Sequence, residues 1–164
     1  MLSSQQQIIS FVASRLESNN SVWLCTILKT WGSSPRPVGA MMACTPGGEL
    51  VGSLSGGCIE EDFLHQLREG SLKSQYEIMG RPFTVRYGET EEEQARLQLP
   101  CGGQLHVLLE YNEPSDASKQ VFSYLASSLE NHTKVSRTVD LETGEISAAD
   151  NDCNDALVIE GSKM

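Results

Sequence analysis

The sequence predicts a single α+β or mixed α/β domain, a mixed sheet with about three helices. Three observations carry that expectation. At 164 residues and 39% hydrophobic content the chain can bury one ordinary core. Several short β-branched or alternating runs are separated by glycine and proline punctuation. Three longer segments repeat their apolar residues at helical spacing.

In chain order, QQIISFVASRLE places Ile8, Phe11, Val12 and Leu16 on one helical face, and SNNS stops it. SVWLCTILKTWG reads as a buried strand. SSPRPVG, with two prolines enclosing Arg36, reads as a stiff extended loop. AMMACT and LVGSLS form a hairpin around the turn PGGE. A helix from Ile59 to Arg68 follows, with Ile59, Phe63, Leu64 and Leu67 inward, acids in its first turn and Gly70 closing it. SQYEIM and PFTVRYG read as two further strands, joined through the polar stretch ETEEEQARLQL to the strand QLHVLLEY. A helix from about Pro114 to Leu129, with Val121, Phe122, Leu125 and Leu129 inward, precedes a hairpin of KVSRTVDL and EISAAD around ETGE. Residues 1–150 form the expected domain, and 151–164 are expected to be a tail or truncated linker.

Composition excludes several classes of function. Twelve basic against twenty-two acidic residues give a net charge of −10, which repels phosphate backbones and anionic lipid, so neither nucleic acid nor membrane is an expected partner. No run approaches the roughly 18 to 20 apolar residues of a membrane span, and MLSSQQQIIS lacks the order of a signal peptide, so a cytoplasmic location is expected. Five scattered cysteines without a CxxC pair argue against a disulfide framework or a zinc ribbon, and the three histidines form no HExxH pair.

The chemistry concentrates in LVGSLSGGCIEEDF. A strand, a glycine turn and a helix start leave several N–H groups directed at one spot, which suits an anion. The spacing of Gly52 and Gly57 mimics half a P-loop, but Cys58 and Ile59 stand where the lysine and the hydroxyl residue belong, which disfavours nucleoside triphosphate hydrolysis. For Cys58 the helix dipole lowers the thiol pKa while Glu60, Glu61 and Asp62 raise it, so the net direction stays open. LPCGG repeats the pairing of a thiol with two glycines at Cys101, Gly102 and Gly103. Arg36 adds a guanidinium suited to phosphate or carboxylate. The blander reading of each feature is a close-packing turn, a small buried thiol or a solvated arginine. Cys25, Cys44, Met41 and Met42 read as core.

Taken in order, TWGSSPRPVGAMM, LVGSLSGGCIE and LPCGGQLHVLLE resemble the N-terminal domain of the XdhC/CoxI family of xanthine dehydrogenase accessory proteins, over roughly Val22 to Glu110. That resemblance implies a carrier rather than an enzyme. Its cargo would be the molybdenum cofactor (molybdopterin), a pterin with a phosphate and a dithiolene-held metal. Its expected partners are a cysteine desulfurase, which sulfurates the cargo, and a molybdenum hydroxylase apoenzyme, which receives it. A homodimer is expected by family likeness alone. The implied binding residues are Arg36, Ser55, Gly56, Gly57, Cys58, Glu60, Cys101, Gly102 and Gly103, with Cys58 and Cys101 approaching the molybdenum. Two departures stand out: no GxGxxG marks the Rossmann-like domain that usually follows, and Gln98 stands before Leu99 where the family pattern leads one to expect glycine. The alternatives are a thiol-dependent enzyme or redox protein using Cys58, and a docking domain that binds no cofactor.

Overall fold

A computed structural model describes residues 4–32, 36–55, 57–99 and 103–150. Helix α1 (Ser4–Glu17) leads into the long strand β1 (Val22–Trp31), followed by β2 (Met41–Cys44) and β3 (Leu50–Gly52). Helices α2 (Cys58–Glu69) and α3 (Ser71–Met79) carry the chain to β4 (Phe83–Tyr87). The short α4 (Glu91–Arg96) leads to β5 (Gln104–Asn112), α5 (Asp116–Glu130) and a terminal pair, β6 (Val135–Val139) and β7 (Ile146–Asp150).

The main sheet has five strands in the order β3-β2-β1-β5-β4, and β6-β7 form a separate two-stranded sheet. Every pairing in both is antiparallel. The expected mixed sheet is therefore corrected. The α2–α3 connection carries the chain from β3 at one edge to β4 at the other, and β4 enters antiparallel to β5.

Helix number is corrected too: the described residues hold five helices, not about three. SQYEIM, expected as a strand, lies inside α3. Gly70, left-handed at φ 81°, ends α2 and starts α3 in one step, and Gly80 closes α3 in the same conformation. Leu72 and Tyr76, four apart, face the core, whereas Ile78, which a strand would have buried, is 85% exposed. The polar stretch after β4 became α4 because Thr90 caps it, its hydroxyl oxygen accepting from the Glu93 N–H at 3.0 Å.

The sheet separates two cores. On one face Trp23, Cys25, Ile27, Leu105, Val107 and Leu109 pack under α2 and α3 with Ile59, Phe63 and Leu72. Trp23 meets Phe63 and Phe83 edge to face, with ring centroids 6.3 Å apart in each pair. On the other face Val22, Leu24 and Ala43 pack under α1 and α5 with Ile8, Val12, Leu16, Phe122 and Leu125. The β6–β7 hairpin is tied to this second layer by a buried ion pair, in which the Arg137 guanidinium donates to both Glu110 carboxylate oxygens at 2.6 and 3.0 Å.

Candidate functional site

Antiparallel pairing decides where the three sequence motifs lie. β1 ends at the sheet edge where β2 begins, and that same end holds the last residue of β3, the last residue of β4 and the first residue of β5. The strand ends that flank the SSPRPVG, SGGC and LPCGG segments therefore all lie at one end of the sheet. Three strand steps separate β3 from β5, roughly 14 Å. Helix α2 narrows that gap by running from the β3 edge across the Trp23 face, so that Asp62 reaches Arg96 on α4 at 2.8 Å.

The SGGC loop is built around Glu60. Its carboxylate is buried, and Oε1 accepts from the Leu54 N–H at 2.9 Å, the Ser55 N–H at 2.7 Å and the Ser55 hydroxyl at 3.2 Å. The Ser55 oxygen in turn accepts the Ile59 N–H at 3.2 Å, capping the first turn of α2 from outside it. The first intrahelical bond runs from Glu61 N–H to the Gly57 carbonyl. Cys58, Ile59 and Glu60 thus have no acceptor for their N–H groups within the helix, and of these Ile59 turns to Ser55.

Glu60 and Ser55, both implied as binding residues, thus have a second role: they hold the loop that presents Gly57 and Cys58. Gly57 is extended, with φ 166°, so its conformation does not require glycine. A Cβ there would meet nothing within 4 Å, so the space beside the helix start is open. Cys58, the first residue of α2, is half-buried, its side chain against the Trp23 core. Gly52, at φ +86°, is glycine for a different reason, since a Cβ would run into the Met41 carbonyl as β3 turns away from β2.

Arg36 is half-buried on the loop between β1 and β2, which is anchored where Gly39 N–H donates to the Ile27 carbonyl at 2.8 Å and Ile27 N–H to the Ala40 carbonyl at 2.9 Å. Gly103 is buried at the start of the third loop. Gly56, Cys101 and Gly102 lie outside the described residues. Among the described residues no group of three or more histidine, cysteine or acidic side chains could hold a metal ion. A molybdenum cofactor, whose dithiolene already holds its metal, would need from the chain an oxyanion site and a thiol, and the α2 start with Cys58, and Arg36, are of that chemistry.

Reasoning from the sequence missed the residues that hold the third loop. Gly88, at φ +86°, follows β4, and a Cβ there would intrude on the Gly103 carbonyl and the Leu99 side chain. Its N–H donates to Glu93 at 2.8 Å and its carbonyl accepts from Gln94 at 2.8 Å. The preceding Tyr87 is buried, and its hydroxyl has no hydrogen-bond partner among the described residues. Burial first, then the charges of Cys25, Asp62, Glu93 and Glu60, push that phenol far up, so it stays protonated. YGET carried a signal for this arrangement: threonine three residues before Glu93 is a capping box.

Burial also raises the two core thiols. Cys25 is pushed well up by desolvation and then by Cys44 and Glu110, and Cys44 is pushed up to about 11 by desolvation. Neither is a nucleophile near neutrality. A shallow groove of about 480 Å³ lies elsewhere, lined by Glu17, Lys119 and Tyr124 among others on α1 and α5, away from the three loops.

An antiparallel five-stranded sheet between two helical layers, with its glycine-bearing loops gathered at one end, defines the class: a mixed α/β domain. Residues 15–88 match the XdhC and CoxI family, which is consistent with an N-terminal accessory domain of that type. It is 33% identical over 104 residues to the molybdenum cofactor insertion chaperone PaoD of Escherichia coli (strain K12), covering 62% of this chain and 30% of that protein. Against a probable xanthine dehydrogenase subunit from Bacillus subtilis (strain 168) the identity is 32% over 92 residues, covering 56% of this chain and 27% of the other. The crystal structure of a xanthine dehydrogenase from Bacillus halodurans superposes with a TM-score of 0.51 at 28% identity, covering 73% of this chain and 35% of that one. The chain thus spans about a third or less of these relatives.

Proposed function

We infer that the chain is a molybdenum cofactor-binding accessory domain, a carrier that supports sulfuration of the cofactor and its insertion into a xanthine dehydrogenase-type molybdenum hydroxylase. The observation that carries this reading is the gathering of three motif loops at one sheet end, with the SGGC loop held so that Gly57 leaves the start of α2 open. The relatives support it: one is named as an insertion chaperone for that cofactor, two as xanthine dehydrogenase or part of it.

In this reading each residue has its own task. The N–H groups at the α2 start and the Arg36 guanidinium hold oxyanions of the cargo. Cys58 and, from the third loop, Cys101 approach the metal or its sulfido ligand, while Gly102 and Gly103 let the backbone come close. Ser55 and Glu60 position the first loop. A cysteine desulfurase acts on the cargo in place, and the apoenzyme receives it; residues 1–150 are the unit that does this work, in the cytoplasm and, by family likeness, as a dimer.

Titration of the chain with isolated molybdenum cofactor tests the reading. Stoichiometric binding without turnover is expected, weakened in C58A and C101A, with delivery to a molybdenum hydroxylase apoenzyme impaired in the same variants. Absence of binding by the wild-type chain refutes the carrier; full binding and delivery by both variants removes the thiols from it.

A further inference from the structure

The sheet face opposite the Trp23 core carries, beyond the part packed under α1 and α5, a row of basic residues. Lys29 on β1 stands opposite His106 on β5, and His106 stands opposite Arg86 on β4. Directly opposed residues share a face with Cβ atoms about 5 Å apart. Leu105 and Val107, on either side of His106, point into the Trp23 core, so the row of Lys29, His106 and Arg86 points the other way. Trp31, two residues beyond Lys29, completes it: its indole stacks on the His106 imidazole with centroids 6.4 Å apart and planes at 30°, and the Lys29 ammonium lies 5.2 Å from the indole.

Such a row needs a reason. Lys29 and Arg86 flank His106 from the two neighbouring strands and set two fixed positive charges on one patch of a chain whose net charge is −10. Among the described residues the ion pair that reaches the row is Arg86 with Glu89, at 3.9 Å and with both side chains more than half exposed, a contact that holds little energy. Helix α1 packs over β1, β2 and β3, and the β6–β7 hairpin joins β5 near its far end through Glu110, so Lys29, Arg86 and Trp31 remain exposed.

We propose that Lys29, His106 and Arg86 form a binding site for a phosphate monoester carried on a flat ring, the phosphate resting on the basic row and the ring on Trp31. The Cβ atoms of Lys29 and Arg86 lie about 10 Å apart across His106, a span that their long side chains can close on one phosphate, and both carry fixed charge. The indole gives the ring a stacking surface at the rim. Desolvation, then Arg86 and Lys29, lower the His106 pKa, so the unliganded imidazole is neutral near pH 7. Facing it are Lys29 from β1 and Arg86 from β4, with Glu89 beyond Arg86. A bound dianion reverses their effect and draws a proton onto the ring.

The row lies on the sheet face opposite Cys58 and the Trp23 core, and its test uses no cofactor. Adenosine 5′-monophosphate, inorganic phosphate and adenosine are titrated while Trp31 emission and the His106 imidazole resonances are followed; Trp23, 1% exposed, supplies a constant background. Expected are saturable quenching by the nucleotide, a raised His106 pKa with either phosphate, weaker binding of adenosine, and no shift at His65 or His132. K29Q and R86Q, both at exposed positions, should each weaken nucleotide binding about tenfold, and W31F should keep the His106 shift while losing the quenching. No saturation at millimolar nucleotide, an unchanged His106 pKa, equal response to adenosine, or wild-type affinity in K29Q and R86Q each overturns the proposal.

Discussion

Replacing Glu60 tests whether this carboxylate is the organiser of the SGGC loop. In E60A the Leu54 N–H, bonded at 2.9 Å, and the Ser55 N–H, bonded at 2.7 Å, lose their acceptor together. Leu54 is 1% exposed, so its amide has no route to water and costs about 1–3 kcal/mol when unpaired. Ser55 is half-buried and recovers part of its loss by solvation. The expected total is about 2–4 kcal/mol. E60Q keeps an acceptor oxygen and loses only the charge assistance, about 1 kcal/mol. Urea unfolding at constant m reads both values, with E60A shifted by about 1 M or more and E60Q by well under that. Amide exchange at Leu54 and Ser55 should accelerate in E60A ahead of the rest of the Trp23 core. A loss below about 1 kcal/mol in E60A, or equal losses in the two variants, would refute the argument, because the loop amides would then have another acceptor.

Other positions give sharper contrasts. Y87F removes a buried hydroxyl that has no partner among the described residues and should raise stability by about 1 kcal/mol, measured by urea unfolding; a loss would mean that the hydroxyl is bonded. G88A forces a side chain into a left-handed backbone against the Gly103 carbonyl and should cost about 2 kcal/mol or more, with the largest amide-exchange changes at Gly103 and Gln104. Alkylation of the native chain at neutral pH should modify Cys58 well before Cys25 and Cys44, whose thiols burial pushes up, and peptide mapping checks the order. Because the folded His106 pKa lies below the unfolded value, the unfolded chain binds more protons as pH falls through about 6.5. Stability should therefore decline on acidification through that range, by a modest amount since the ring is only half-buried, and H106A should flatten the decline.

The two hairpins, α1, α2 and α5 were legible because local signals agreed with their surroundings. PGGE and ETGE supplied turn residues between apolar runs, and Gly70 supplied the left-handed stop of α2. SQYEIM failed for the opposite reason. Tyr76 and Ile78 alternate as in a strand, but the contact that decides the segment is Leu72 with Tyr76 against the core, a pair visible only once α2 is in place. Strand direction was equally hidden: the sequence shows that β4 follows two segments after β3, not that it arrives at the far edge antiparallel to β5.

For the site, the same limit produced a different kind of gap. Cys58, Gly57 and Arg36 were singled out because thiols, glycines and guanidinium groups announce their chemistry one residue at a time. Glu60 was read as a first-turn acid suited to the helix dipole and, by resemblance, as a binding residue; what neither reading contains is its bonding to backbone five and six residues upstream. Tyr87 and the Lys29, His106 and Arg86 row gave no local signal, since each member is ordinary on its own strand. The row exists only in the register that pairs positions 29, 106 and 86 across three strands. A one-residue slip of β5 would turn His106 into the Trp23 core and leave Leu105 or Val107 on the outer face. Burial of Leu105, Val107 and Leu109 is what forbids that slip, so the core side of β5 fixes the basic row on its other side.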